Sequence, residues 1–277
     1  MICQMSAPVH VGFEATGGQE WVLWTALMEA GIEARQLPPA QIKAFAMSRG
    51  TRAKTDRIDA ELIARFMMFR PEAGRALPSE NLRVLRTLTT RRAQIVEMRK
   101  RLAAQMSARR KQGIGANVED LDDALKTMLD AQISELEQRI ECAIASEQTS
   151  ATKAGLILSI PGIGPVSAAM LVAEMPELGR MTAGEAAAMA GLAPLPHDSG
   201  VMRGRRAIAG GRRALRQVLF QAALAAACHN PALKPLAKRL KERGKPHKVV
   251  IIAIARRLIT IANAILKTGD TWRPQPG

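Results

Sequence analysis

The stretch "SIPGIGPVSAAMLVAE", residues 159–174, decides the fold of the second half of the chain. Pro161 and the two glycines, Gly162 and Gly164, end one helix, and the alanine-rich run after Pro165 predicts the next. We predict a helix-hairpin-helix-like motif whose glycines let the backbone approach a phosphate, which the free N–H groups of the second helix then bind. An ordinary turn between two helices is the alternative, because proline and glycine favour that turn as well.

The stretch "HDSGVMRGRRAIAGGRR", residues 197–213, places one serine before a dense basic run. Arginine guanidinium groups match phosphate geometry, so we predict that this run binds DNA. The residues concerned are Arg203, Arg205, Arg206, Arg212 and Arg213. We expect Ser199 to be exposed in a loop that leads into a helix beginning near Gly210 or Gly211. Its chemistry stays open here, because "DSG" is a common turn sequence and a serine nucleophile needs a base or a metal.

The charge of the chain predicts a polyanionic partner. The net charge is +15 and the isoelectric point is about 10.7. Residues 197–277 hold 17 of the 40 Lys and Arg residues but only 3 of the 25 Asp and Glu residues. We therefore expect DNA, or RNA, to bind mainly to this part of the chain.

The sequence gives no sign of a membrane partner or of secretion. The apolar run "VVIIAIARRLITIANAIL" is interrupted by Arg256 and Arg257, so we expect no apolar run to approach the ~18–20 residues of a membrane-spanning helix. The start "MICQMSAPVH" has no signal-peptide pattern. The three cysteines are scattered and form no CxxC motif, which is typical of a reducing compartment. We expect a cytoplasmic, nucleoid-associated protein.

The first part of the chain, residues 1–77, alternates between strand and helix patterns. "VHVGFE" and "IEARQL" predict strands, and amphipathic runs after each predict helices. This alternation indicates a small α/β unit.

Two long helices are predicted over residues 78–150. Apolar residues recur every three or four positions from Leu82 to Met106 and again from Leu121 to Ile144, with "KQGIGANVED" between them. Such stripes are typical of an antiparallel coiled-coil arm or a dimerisation element. Two ordinary helices packed on a core are the alternative. Residues 151–277 then form a helical, basic domain.

Three carboxylates of the α/β unit are candidate metal ligands. Glu14 lies at the end of the first strand, and Asp56 and Asp59 in "KTDRIDA" share one face of a helix because they are three residues apart. Converging carboxylates suit Mg²⁺, which could activate a nucleophile for phosphodiester cleavage. Asp56 could equally be a helix cap or a partner of the helix dipole.

The order of these motifs resembles the DEDD transposases of the IS110 insertion-sequence family. The match runs from "EATGG" and "KTDRIDA" through a long helical spacer to "SIPGIGPVSAA", "AGLAPLPHDSG", "RGRRAIAGGRRALRQVLFQAAL" and "HNPALKPLAKRLKERGKPHKVVIIAIARRLI". It covers nearly the whole chain and keeps the motif order.

The resemblance implies an α/β plus all-α fold: a RuvC-like domain of RNase H-like fold, a coiled-coil arm and a C-terminal transposase domain. It implies Mg²⁺ at Glu14, Asp56 and Asp59, and a nucleophilic serine that aligns with Ser199. It also implies that the protein recombines DNA as a homo-oligomer, and some members are guided by a structured RNA from their own element.

This sequence departs from the family at its first acidic residue. The family carries an Asp on an opening strand upstream of "EATGG", whereas no Asp or Glu precedes Glu14 here. We therefore expect an N-terminally truncated copy, or one with a misassigned start, with an open edge in its sheet. Two alternatives to an active transposase follow: a catalytically inactive DNA-binding remnant, and a metal-dependent nuclease of the Holliday-junction type in which Ser199 is a turn residue.

Overall fold

The computed structural model describes residues 8–15, 18–50, 55–195, 198–199, 202–203 and 207–273. The chain divides into two compact units, Met1–Ser79 and Glu80–Gly277. Each unit has its own hydrophobic core and is described by itself.

The first unit is a small α/β domain, as predicted. Two parallel strands, β1 (His10–Glu14) and β2 (Glu33–Leu37), pair along their full length. The helix between them, α1 (Glu20–Glu29), makes the crossover that a parallel pair requires. Two further helices follow, α2 (Pro39–Ser48) and α3 (Asp56–Phe69).

Different helices cover the two faces of this sheet, because successive strand residues point to opposite sides. On one face, Phe13 and Ala34 pack with Trp24 of α1, and the Trp24 indole N–H donates to the Ala34 carbonyl at 3.1 Å. On the other face, Leu37 packs with residues of α2 and α3, including Phe66. Both faces therefore contribute to the stability of a sheet of only two strands.

The β1 strand has one edge without a strand partner among the described residues. The other strand, β2, pairs with β1 on one side and forms an isolated bridge from Gln36 to Arg75. An unpaired edge leaves a row of backbone N–H and C=O groups available to another strand.

The second unit begins with a pair of long helices, α4 (Glu80–Lys111) and α5 (Glu119–Ala145), joined through a short 3-10 helix at Gly115–Asn117. The pair is antiparallel, because ion partners further along α4 lie earlier in α5: Arg92 with Glu137, and Arg99 with Asp130. Part of the predicted stripe is buried between the helices: Ile95, Leu102, Met106, Leu129 and Ile133.

The helix pair is joined to the rest of the second unit by a shared core. Leu85 of α4 and Ile140 of α5 belong to the main cluster of buried residues, and Arg86 Nε donates to the Ala173 carbonyl at 2.7 Å. Other members of the predicted stripes, Leu121 and Met98, are exposed. The division predicted between residues 150 and 151 is thus not a boundary between compact units, and the coiled-coil assignment stays a prediction.

Two residues after the end of α5, Glu147 is a carboxylate whose pKa is lowered. Glu147 accepts hydrogen bonds from Ser150 Oγ at 2.6 Å and from Asn81 Nδ2 at 3.1 Å. These bonds favour the ionised form, and they lower the pKa of Glu147 below its usual value. They therefore stabilise the fold above that usual pKa and are lost as the pH falls through the lowered one.

The remainder of the second unit is helical, with a short ribbon inserted before α9. Its elements are α6 (Gln148–Leu158), α7 (Pro165–Glu174), α8 (Ala183–Met189), β3 (Pro194–Leu195), β4 (Asp198–Ser199), β5 (Met202–Arg203), β6 (Ala207–Ile208), α9 (Arg213–His229), α10 (Leu233–Glu242) and α11 (His247–Thr268).

The central helix of this domain is α11, which packs against α6, α8, α9 and α10. Residues from Val250 to Ile265 recur on its buried face at helical spacing. Of the described helices, α11 is the one long and apolar enough to cross a membrane by length and composition. The expectation that no run reaches this threshold is wrong, and burial in the domain core accounts for the apolar residues.

A buried asparagine of α11 holds the turn between α7 and α8. Asn263 Oδ1 accepts the Gly179 N–H at 2.8 Å, and Asn263 Nδ2 donates to the Met181 carbonyl at 2.9 Å. Without Asn263, the Gly179 N–H and the Met181 carbonyl would lose these hydrogen bonds, which costs free energy where water has little access.

We expect Asn263→Ala to lower the free energy of unfolding by about 2–4 kcal/mol, because two backbone groups lose their partners. Urea denaturation followed by circular dichroism measures this change. Asn117→Ala, at an exposed position, is the matched control and should change stability by less than about 0.5 kcal/mol. Equal stability of the two variants would contradict the anchoring role of Asn263.

Candidate functional site

Glu14 ends β1 and lies on the sheet face that α3 covers. Gly12 points to the same face, because it is two residues earlier in the strand. A Cβ added to Gly12 would meet Met67 Sδ of α3 at 2.2 Å. Glycine at this position therefore allows α3 to approach the strand, and Glu14 is half-buried beside it.

The first turn of α3 carries the two candidate aspartates. Thr55, not Asp56, is the N-cap, since Thr55 Oγ1 accepts the Ile58 N–H at 3.4 Å. Asp56 is exposed, whereas Asp59 is half-buried. By helical spacing, Asp59 lies on the same stripe as the buried Phe66, so it faces the sheet side of the helix.

These three carboxylates suit Mg²⁺ in ligand type, but the structure does not gather them into one site. Among the described residues, no three Asp, Glu, His or Cys side chains form a group that could hold a metal ion. None of Glu14, Asp56 and Asp59 has a side-chain hydrogen bond or ion pair within the described part of the chain. Unpartnered carboxylate oxygens are the ligands that Mg²⁺ prefers, so the metal site stays a prediction.

The turn between α6 and α7 has one glycine in a packing contact and one at the surface. Gly162 has a φ of +101°, and a Cβ there would meet the Ala226 Cβ of α9 at 2.6 Å. The predicted phosphate contact by Gly162 is corrected, because close helix packing explains this glycine. Gly164 is exposed, caps α7 and has open space around it, so its phosphate contact stays a prediction.

A buried residue that the sequence analysis missed, Asn230, fixes this turn to the end of α9. Asn230 Nδ2 donates to the Pro161 carbonyl at 2.9 Å, and Oδ1 accepts the N–H groups of Ala232 at 3.0 Å and Leu233 at 3.2 Å. The available signal was the Asn-Pro pair after a helical run, which marks a turn.

Ser199 lies in a two-stranded antiparallel ribbon, so the prediction of a loop is wrong for its backbone. β3 pairs with β6, and β4 pairs with β5, where Ser199 is opposite Met202. The following helix begins at Arg213, two residues after Gly211. The predicted exposure of the Ser199 side chain lies outside the described part of the structure.

A close backbone crossing holds the two ends of the ribbon together. A Cβ at Gly211 would meet the Gly191 nitrogen at 2.2 Å, and a Cβ at Gly191 would meet the Gly210 oxygen at 2.4 Å. All three glycines have positive φ. The Arg212 N–H also donates to the Met189 carbonyl at 2.8 Å, so the ribbon is fixed to the end of α8.

The predicted basic run divides into residues of different roles. Arg212 is 17% exposed, and its guanidinium donates to the Glu174 carbonyl and to the Glu177 carboxylate. The prediction that it binds DNA is corrected, because these partners occupy it. Arg213 is exposed at the start of α9 and remains a candidate. The side chain of Arg203 and all of Arg205 and Arg206 lie outside the described residues.

Comparison with known proteins identifies the family. The model described as "Transposase IS116/IS110/IS902 family" matches residues 154–238, and a DEDD-type transposase model matches residues 2–112. A pilin gene-inverting protein of Moraxella bovis is 31% identical over 276 residues, which is 95% of this chain and 81% of that relative. The chain belongs to the IS110 family of transposases.

Two further relatives agree with this membership. A pilin gene-inverting protein of Moraxella lacunata is 30% identical over 276 residues, covering 95% of this chain and 81% of its own length. An IS110 insertion-element protein of Streptomyces coelicolor is 33% identical over 119 residues, which is 42% of this chain and 29% of that protein. The chain is thus a transposase, a DNA recombinase of insertion-sequence type, and DNA is its partner.

This IS110 transposase has a basic surface at the corner of α10 and α11 that sequence reasoning did not name. α10 packs Leu233 and Ala237 inward, and its other sides are rich in cations. The exposed cations of the corner are Lys234, Lys238, Arg239, Lys241, Arg243, Lys245 and Lys248. Within the described residues, only Lys238 among them pairs with a carboxylate, that of Glu242 at 3.9 Å. The signal was present in "KPLAKRLKERGKPHK", where cations lie beside the partly buried Leu236 and Leu240 and the buried Ala237.

In the long helix pair, unlike at the α10–α11 corner, many cations are paired with carboxylates. Four arginines of α4 pair with carboxylates at or near α5: Arg92 with Glu137, Arg99 with Asp130, Arg109 with Asp122, and Arg110 with Glu119. Their charge is therefore largely neutralised within the protein. The basic excess available to a nucleic acid is concentrated at the α10–α11 corner instead.

We expect Gly162→Ala to lower the free energy of unfolding by about 2–4 kcal/mol, because it combines left-handed strain with a clash against α9. Gly164→Ala is the matched control, since its backbone is extended and its surroundings are open. Denaturation in urea compares the two variants. If both were equally stable, Gly162 would not be a packing residue.

We expect Arg212→Gln and Arg213→Gln to separate stability from DNA affinity. Arg212→Gln should lower the free energy of unfolding by about 1–3 kcal/mol and leave the affinity of the folded protein for DNA unchanged. Arg213→Gln should leave stability unchanged and reduce the salt dependence of duplex binding by about 0.9 log units per log unit of salt. Thermal denaturation and fluorescence anisotropy measure these effects, and an exchange of the two phenotypes would contradict both assignments.

Proposed function

We propose that this transposase cuts and rejoins DNA through a covalent intermediate on Ser199. The observation that carries the proposal is the position of Ser199 on the short antiparallel pair β4–β5, in a segment that leaves the helical core after Gly191 and returns to it at Gly211, where these two glycines are in contact. A nucleophile on a supported element can meet a phosphate in a defined geometry. The exposed Arg213, where the ribbon returns to α9, supplies positive charge for that phosphate.

The proposed reaction balances without an external energy source. Ser199 Oγ attacks phosphorus and forms a phosphoserine ester, while the bond from phosphorus to the leaving deoxyribose oxygen breaks. The serine proton passes to a carboxylate, and the leaving oxygen takes up a proton as the free hydroxyl of the cut strand. Attack by the hydroxyl of a second strand reverses these steps, which joins the new strand and restores the serine.

The carboxylates of the first unit complete the proposed site. Glu14, Asp56 and Asp59 would hold Mg²⁺ through their oxygens and accept the proton of the nucleophile. Their carboxylate chemistry supports this role, as does the lack of a side-chain partner for any of the three among the described residues. Mg²⁺, when bound, would neutralise charge on the phosphate and on the reacting oxygens. A RuvC-like assignment of the unit is part of this proposal, supported by the parallel β1–α1–β2 order.

We further propose that the chain binds other copies of itself, duplex DNA and a guide RNA. We propose that the chain acts as a homo-oligomer, as the likeness to the IS110 family implies. The open cations of the α10–α11 corner suit a structured guide RNA as well as duplex DNA. The Moraxella relatives are named for gene inversion, and we propose DNA rearrangement of that kind for this chain, in the cytoplasm.

The test of this proposal is a covalent adduct. The full chain is incubated with Mg²⁺, labelled duplex carrying the ends of its element, and any RNA that the element encodes, and is then resolved on a denaturing gel. We expect a DNA–protein adduct that Ser199→Ala abolishes while DNA binding persists. Ser107→Ala, at an exposed serine of α4, is the matched control and should retain the adduct.

The other outcomes distinguish the alternatives. Mg²⁺-dependent cuts without an adduct would favour the metal-dependent nuclease, and binding without cuts would favour the inactive DNA-binding remnant. An adduct that survives Ser199→Ala would overturn the role of this serine.

A further inference from the structure

A groove of about 490 Å³ opens beside the strand pair β3–β6. The residues that form its floor are apolar: Pro194 and Ile208 of the ribbon, Leu236 of α10, and Val249, Ile252 and Ala253 of α11. Pro194 and Ile208 are paired with each other in the ribbon. The groove therefore adjoins β3 and β6, the strands that come before and after the β4–β5 pair of Ser199 in the sequence.

Two adjacent arginines line the same groove. Arg256 and Arg257 lie in the middle of α11, between the buried residues Ala255 and Leu258. Both are exposed, and neither side chain has a hydrogen bond or ion pair among the described residues. Within the part of the chain that the structure describes, these two charges therefore differ from Arg212 and from the paired arginines of α4, which have carboxylate partners.

Two more cations lie along the same helix faces. Arg239 follows Leu236 by three residues in α10, and Lys248 precedes Ile252 by four residues in α11, so each shares a face with a floor residue. Both are exposed. An apolar floor is thus bordered by positive charge from two helices.

We propose that this groove binds a segment of single-stranded DNA, with its bases on the apolar floor and its phosphates on Arg256 and Arg257. Duplex DNA keeps its base faces inside the stack and cannot use the floor, whereas an unpaired strand offers both faces and phosphates. The proposal rests on the proposed function in one respect: we take the bound strand to be DNA because the groove is lined by β3 and β6, which flank the β4–β5 pair of Ser199 in the sequence.

The floor also determines how the bases are held. No aromatic side chain lines the groove among the described residues, so the bases contact aliphatic groups. Aliphatic contact carries no hydrogen-bond readout, and we expect little preference between base sequences.

The first experiment measures binding of fluorescein-labelled oligo(dT) and of a duplex to the full chain by anisotropy. We expect the double variant Arg256→Gln and Arg257→Gln to lower single-strand affinity about tenfold and to reduce its salt slope by about 1.4, since each phosphate contact to a single strand contributes about 0.7. The matched control is Lys111→Gln with Lys126→Gln, which removes the same charge from exposed positions of α4 and α5 outside the groove. It should keep single-strand affinity within about threefold.

The second experiment tests the floor. Val249 is 51% exposed, so Val249→Ser should leave the fold intact while removing apolar contact. We expect it to weaken binding of oligo(dT) about threefold to tenfold and to leave binding of an abasic strand of equal length unchanged. Met128→Ser, at a position of α5 with the same 51% exposure, is the control and should change neither.

Each result decides the proposal. Equal losses for the groove variant and its charge-matched control, or equal losses on duplex and single strand, would mean general electrostatic attraction and would overturn it. Tighter binding of oligo(U) RNA than of oligo(dT) would overturn the assignment to DNA. Single-strand binding requires no cleavage, so Ser199→Ala should retain it. Loss of the covalent adduct with normal groove binding would then contradict only the proposed function.

Discussion

The burial of α11 is the constraint on which the helical domain depends. Its residues from Val250 to Ile265 contact four other helices, and each fully buried Leu or Ile side chain contributes roughly 1.5–3 kcal/mol. The same helix supplies Asn263, which satisfies two backbone groups of the α7–α8 turn. Its remaining face forms the groove beside the ribbon. One helix thus supports the core, a turn and a candidate binding surface.

Much of this fold could be predicted from local pattern. The strands of the first unit, the long helix pair and the break at residues 159–164 all carry signals within a few residues of themselves. The ribbon carried no such signal, because its strands are two residues long and two positions cannot show an alternation. Its existence depends on the contact between Gly191 and Gly211, which are distant in sequence.

The candidate site was less predictable, because several residue types serve two purposes. A glycine before a helix suits a phosphate and suits a close helix contact equally well, and only Ala226 of α9 decides for Gly162. Arg212 and Arg213 are adjacent and chemically identical, yet Glu174 and Glu177 occupy the first and leave the second exposed. Counts of basic residues therefore overestimate the charge that a DNA molecule meets. The exposed cations at the α10–α11 corner become recognisable as a candidate DNA-binding surface only after the arginines paired with carboxylates elsewhere are excluded from the count.

The antiparallel pair of α4 and α5 also gives the molecule a fixed length scale. Thirty-two residues of α4 at 1.5 Å each extend about 48 Å, which exceeds one turn of duplex DNA at about 34 Å. The ion pairs hold the two helices in one register, so each residue of α4 keeps a fixed partner position along α5. Lengthening both helices by seven residues would move its tip outward by about 10 Å and preserve the buried stripe. The distance from the core of the second unit to the tip of the helix pair is therefore set by the number of residues in the two helices.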